Sequence, residues 1–236
     1  MSIASAPFLH LHTRLISQLD SLVPFLSLAH AEVYQLLDAS YSMWLPVEVQ
    51  STLPDNIGVF QTQIAHAGFL LGYSYIETFV TDVITALYTQ HPERLPKDKA
   101  LRYHDILAIG HYDGLIIKMI ERTVARLNSL ERKVKHLEIM GLNVAISNEL
   151  LAAHHIRHTL IHNAGIVNRS LPYHFGWQIG DRITLSVAEV NGFGIAARNF
   201  AATLIQCITD NDLTVVDEGA IHQSVVVDID VDDYIR

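Results

Sequence analysis

The chain has 236 residues, half of them apolar and only 17% charged, enough for one packed domain and too apolar for a disordered one. No window approaches the roughly eighteen consecutive apolar residues of a membrane span, and the single cysteine, Cys207, excludes an intramolecular disulfide framework and a cysteine-based zinc site. The formal charge of −9 argues against a DNA-coating protein, but it is unevenly spread: ten of the sixteen Lys and Arg fall between Arg94 and Lys135, and eight acids against one base fill the 28 residues from Thr209.

Residues 8–39 read as a helix, with Leu15, Leu19, Leu22, Phe25 and Leu26 near helical spacing and Pro24 expected to kink or split it. Arg14 and Asp20 interrupt its apolar stretch and no basic leader precedes it, so a signal peptide is not expected. With the lone cysteine, this favours a reducing, cytoplasmic setting. Met43 to Asp55, holding Pro46 and Pro54, reads as a connection. Asn56 to Gln90 predicts a long helix with Phe60, Ile64, Ala67, Leu71, Phe79, Val83 and Leu87 inward, ended by His91, Pro92 and Pro96. A short helix is expected over 100–109.

Tyr112 to Met140 predicts one amphipathic helix, apolar at Leu115, Met119, Ile120, Leu127, Leu130, Val134 and Leu137. Lys118, Arg122, Arg126 and Lys133 share its opposite side, within about 80° at 100° per residue. Gly141 stops that helix, Ser147 is the candidate N-cap of the next, which runs to His162, and Asn163 and Gly165 suit a left-handed exit. Ile179 to Val187 reads as a turn and short strand, and Val190 to Asp210 as a helix. In the tail, Val227, Ile229 and Val231 alternate with Asp228, Asp230 and Asp232, a half-buried strand pattern. The expected fold is mainly α with a short β appendage near the C-terminus. It divides into an N-terminal helix and connection (1–55), a helical domain (56–209) and an acidic strand-forming tail (210–236).

The chemistry concentrates in ELLAAHHIRHTLIHNAGIVN, residues 149–168, where His154, His155, Arg157, His158 and His162 fall within a span of nine positions. Cations at a helix exit complement its carbonyl dipole, which accounts for one or two such residues but not readily for five. One chemical reading is a metal site, since His154, His158 and His162 are spaced i, i+4, i+8. No Glu stands in the base position of an H-E-x-x-H motif, however. The three turns also span about 12 Å, far beyond ligand bonds of about 2 Å. The other reading pairs Arg157 with His162. An imidazole titrates near neutrality and suits proton transfer, while a guanidinium holds a phosphate with two hydrogen bonds. That is equipment for cleaving RNA through attack of the ribose 2′-hydroxyl, with neither metal nor cofactor. Trp44, Trp177 and Tyr73 read as packing residues, and His104, His111 and His136 carry no ligand spacing. Glycine-rich phosphate loops and a G-x-S-x-G elbow are absent.

The run from Arg157 to Asn168, RHTLIHNAGIVN, resembles the R-x4-H signature of the HEPN superfamily, in the form where the motif is followed by Asn, a small residue and Gly. The apolar stretch YSYIETFVTDVI, with Glu77 about 80 residues upstream of the motif, is similar to the helix that packs beside the motif in that superfamily. The resemblance covers residues 56–209 and implies a HEPN-like helical bundle. It implies Arg157 on the scissile phosphate or the transition state, and His162 as general acid or base. It also puts His158 in the polar position after the Arg, Asn163 as orienting or capping residue, and Glu77 holding the Arg or His. It further implies a homodimer with composite sites, acting without metal as a toxin or phage-defence effector whose cognate partner would be an antitoxin or inhibitor protein. The H-x-Tyr extension of HEPN toxins paired with a minimal nucleotidyltransferase is missing, since Asn163 and Ala164 follow His162.

The leading expectation is therefore a metal-independent endoribonuclease, with Lys118, Arg122, Arg126 and Lys133 as its RNA track. The alternative from another class is a non-catalytic, dimeric HEPN-like module that binds RNA, nucleotide or a partner protein.

Overall fold

The structure is a computed structural model that describes residues 6–35, 46–96, 101–168 and 176–211. Within them run α1 (Ala6–Gln35), α2 (Val47–Gln90), a 3₁₀ turn (Pro92–Arg94), α3 (Tyr103–Ile109), α4 (Tyr112–Ala125), α5 (Leu130–Ile139), α6 (Asn148–His162) and α7 (Val187–Asp210). Among the described residues the regular structure is all helical apart from one isolated antiparallel bridge between Ile166 and Arg182. No helix among the described residues is long and apolar enough to cross a membrane. Trp44 and the strand pattern of the tail lie outside the described residues.

The 44-residue α2 is the hub, and α1, α4, α5, α6 and α7 all pack on it. Its buried face is Ala65, Phe69, Tyr73, Ile76, Phe79, Val80, Val83, Ile84 and Leu87. Ala67 and Leu71, expected inward, are exposed. The inward register of this half is set by Gly68 and Gly72, which let α1 approach. A Cβ at Gly68 would lie 2.3 Å from Leu26 Cδ2, and one at Gly72 would lie 3.0 Å from Leu22 Cδ2. Each mid-helix glycine costs about 1 kcal/mol of helix propensity, offset by the burial of both leucines. Leu15, Leu19, Leu22 and Leu26 of α1 join the same core as α2 and α7, while Phe25 stays 61% exposed. Arg14–Asp82 and Arg198–Asp20 ion pairs tie α1 to α2 and to α7.

Several boundaries differ from the sequence reading. α1 runs through Pro24 without being split. The stretch read as a connection is largely helix, because Pro46 is the N-cap of α2, where a missing N–H removes no helical bond, and its carbonyl accepts from the amides of Val49 and Gln50. The single helix expected over 112–140 is two. At its end the amides of Arg126 and Leu127 turn back to Thr123 and Val124, and Ser129, in extended conformation, starts α5 by accepting from the Arg132 amide at 3.3 Å. α5 then stops in a Schellman motif on Gly141 (φ 91°), with Leu142 N–H on Leu137 O and Gly141 N–H on Glu138 O, both 2.9 Å. The segment expected as a strand over 179–187 contributes one bridge only, and α7 begins at Val187 rather than Val190. Ser186 and Glu189 cap it reciprocally.

Candidate functional site

α6 is placed by its two ends. Ser147 caps the start, its Oγ accepting from the Leu150 amide at 3.4 Å. At the exit the left-handed residues are Ala164 (φ 52°) and Gly165 (φ 77°), not Asn163, whose φ is −123°. The Ile166 amide closes on Asn163 O at 2.9 Å, so residues 163–166 form a tight turn with both central residues left-handed. Ala164 bears the strain of that conformation, about 1–2 kcal/mol for a residue with a Cβ. Backbone bonds of Ile183 N–H to Gly165 O (2.8 Å) and Val167 N–H to Asp181 O (2.9 Å) hold the turn against residues 180–183. His66 of α2 fixes that segment in turn, with Nε2 3.1 Å from Ile183 O. Nothing in the spacing of His66 marked this role.

The inner face of α6 is apolar but for one threonine: Leu150, Ala152, Ala153, Ile156 and Thr159 are buried. The titratable residues therefore rise from its outer half. His154, Arg157 and His158 are half-buried and His162 is exposed. The His158 and His162 rings stand 4.6 Å apart between centroids, one turn from each other. Arg157 sits with its guanidinium carbon 5.7 Å from the centre of the Tyr73 ring, a cation–π arrangement. Among the described residues Arg157 makes no ion pair. Asn163 is half-buried and ends α6 through its backbone, its amide donating to Thr159 O at 3.0 Å; its Nδ2 is buried with no partner among the described residues.

Behind this face lies a buried polar layer that sequence reasoning read as packing. Tyr73 is fully buried, and its hydroxyl lies 3.1 Å from His154 Nδ1. Burial above all, aided by Glu77, pushes the Tyr73 hydroxyl well above its ordinary range, so it stays protonated. Burial likewise holds the His154 imidazole below its usual value, reinforced by the neighbouring His155 and Arg157. Glu77, one turn along α2 from Tyr73, is half-buried. It makes no ion pair with Arg157 within the described residues, and its field is felt instead at Tyr73 and Lys133. Lys133 is 8% exposed and donates to Glu77 O at 3.3 Å, with burial lowering its ammonium pKa.

The expected RNA track is not one surface. The break at 126–129 separates Lys118 and Arg122 on α4, and Arg126 at its C-cap, from Lys133 on α5, and Lys133 points into the protein. Arg122 is paired with Asp105 at 2.6 Å and Lys118 with Glu121 at 3.0 Å, while Arg126 is exposed. Partial desolvation works against it, but Arg122 still holds the Asp105 carboxyl below its usual value. Among the described residues no three His, Cys, Asp or Glu are grouped as a metal site requires.

Among the described residues the fold and site define an all-α bundle in which α6 carries an arginine and a tilted pair of imidazoles on its outer face. No protein-family model, curated protein or solved structure matches the chain.

Proposed function

We propose that the chain is a HEPN-type endoribonuclease that cleaves RNA by attack of the ribose 2′-hydroxyl on the adjoining phosphate. The observation that carries this reading is the outer face of α6. There Arg157, bedded on an aromatic ring and carboxylate-free among the described residues, shares a helix end with the 4.6 Å His158–His162 pair. Arg157 would hold the phosphate and stabilise the charge that develops on it, and His162 would take or give the proton. His158, in ring contact with His162, would tune or share that transfer. Asn163 ends the helix beneath them, and Glu77 would act from behind through Lys133 and Tyr73. A second copy of the chain facing this open surface would complete a composite cleft, and an antitoxin or inhibitor protein would cover it.

The test is incubation of the purified protein with a mixed RNA pool in EDTA, with analysis of the new ends. Cleavage leaving 2′,3′-cyclic phosphate, and none at positions carrying 2′-deoxyribose, is the expected result. RNA binding without turnover, unchanged on restoring manganese or zinc, would transfer the assignment to a non-catalytic RNA-binding module. Cleavage that requires added metal would transfer it to a site on His154 and His158.

A further inference from the structure

The packing behind α6 fixes the tautomer of one histidine. The Tyr73 hydroxyl is fully buried, and among the described residues its one hydrogen-bond partner is His154 Nδ1. Were Nδ1 the donor, the hydroxyl proton would be buried without an acceptor, so the hydroxyl donates to Nδ1, 3.1 Å away. Nδ1 is then an acceptor, and the proton of the neutral ring sits on Nε2. The two nitrogens lie on opposite sides of the imidazole. Since Nδ1 faces a fully buried hydroxyl, the Nε2–H faces out of the core. Arg157 and His158 follow at i+3 and i+4, so all three side chains rise from one side of the helix. One buried tyrosine therefore holds two neighbours, Arg157 by its ring and His154 by its hydroxyl.

Resting on the reading of α6 as an RNA-cleaving face, we propose that His154 is a phosphate-binding residue of this site. It donates from Nε2 to a non-bridging oxygen of the RNA backbone, and Tyr73 is the positioning residue that sets it. His154 stands eight residues, about 12 Å, from His162 along the helix. The phosphate it holds is accordingly a neighbour of the scissile one. The role is binding, not proton transfer. Loss of His154 should therefore weaken affinity or raise KM while leaving kcat near its wild-type value, a split that general disruption of the helix would not produce.

Two measurements on the full chain test this. Long-range ¹⁵N–¹H NMR reads the tautomer directly: Nε2–H is expected in the wild type and a mixture in Tyr73→Phe, and Nδ1–H in the wild type would overturn the proposal. The second is the affinity for a 2′-O-methyl RNA oligonucleotide, which keeps every phosphate but cannot be cut. His154→Ala and Tyr73→Phe should each bind about tenfold more weakly, the worth of one hydrogen bond to a charged group. The salt slope should not change, because a neutral donor releases no counter-ion. His154→Gln, which keeps an N–H donor, should recover part of the loss. Unchanged affinity in His154→Ala would overturn the proposal, and so would a wild type that binds no RNA. If the oligonucleotide data follow the expected pattern but native RNA is never cleaved, only the nuclease reading falls. If RNA is cleaved and His154→Ala binds normally, only this proposal falls.

Discussion

On α4 and α5, Lys118, Arg122 and Lys133 are each engaged by an oxygen of the protein itself, whereas on α6 the cationic and imidazole groups rest against rings. Arg122 meets Asp105 at 2.6 Å, Lys118 meets Glu121 at 3.0 Å, and Lys133 is buried on the Glu77 carbonyl. Arg157 has the Tyr73 face beneath it, His154 has the Tyr73 hydroxyl, and His158 and His162 have each other. A guanidinium held by a carboxylate has its hydrogen-bonding fork occupied and its field cancelled locally. One held by a ring keeps both for an incoming phosphate. Ten clustered cations in the sequence therefore say less about an anion site than one arginine with the right support.

Four experiments would break or sharpen that contrast. The largest effect is expected for His162→Ala, which trims an exposed side chain and should lower RNA cleavage by about 10² to 10⁴ while far-UV circular dichroism stays unchanged. Arg157→Lys keeps the charge but loses the planar fork, and should cost roughly 10- to 100-fold in cleavage rate, read under single-turnover conditions. A pH series of thermal melts comes next. Burial lowers the imidazole pKa of His66, His136 and His154 from the ordinary 6.5. Below 6.5 the unfolded chain takes up protons that the folded chain resists, so their stability contribution is complete above that value and is lost as pH falls further. Tm should be flat above neutrality and drop below it, and His136→Gln should flatten the drop. Smallest is Arg122→Ala, which should change RNA affinity by less than about threefold, since its partner already satisfies it; a large loss would restore the stripe as an RNA track.

Much of this was legible locally. Ser147 at the start of α6 and Gly141 beyond α5 act as short-range signals with a single geometric solution, and both stand where the sequence places them. The break between α4 and α5 was equally local, written in Asn128 and Ser129, but the apolar repeat continues across it through Leu127 and Leu130. Both helices face one core, so periodicity alone reads them as one. Ser186 and Glu189 likewise spell a capping box that a β-like composition over 179–187 concealed. Arg157, His158 and His162 of the candidate site stand out in the sequence itself. Their supports do not: Tyr73, Lys133 and His66 act from α2 and α5 across many residues of sequence, and a tyrosine amid apolar neighbours carries no mark of the hydrogen bond it will make.

The most direct test of the account compares Arg157→Ala with Arg122→Ala, each incubated with the same RNA pool in EDTA beside the wild type. The account predicts that Arg157→Ala loses at least about a hundredfold of the cleavage rate, while Arg122→Ala cuts at close to the wild-type rate. Equal losses in the two variants, or cleavage by Arg157→Ala at the wild-type rate, would contradict the assignment of the chemistry to α6.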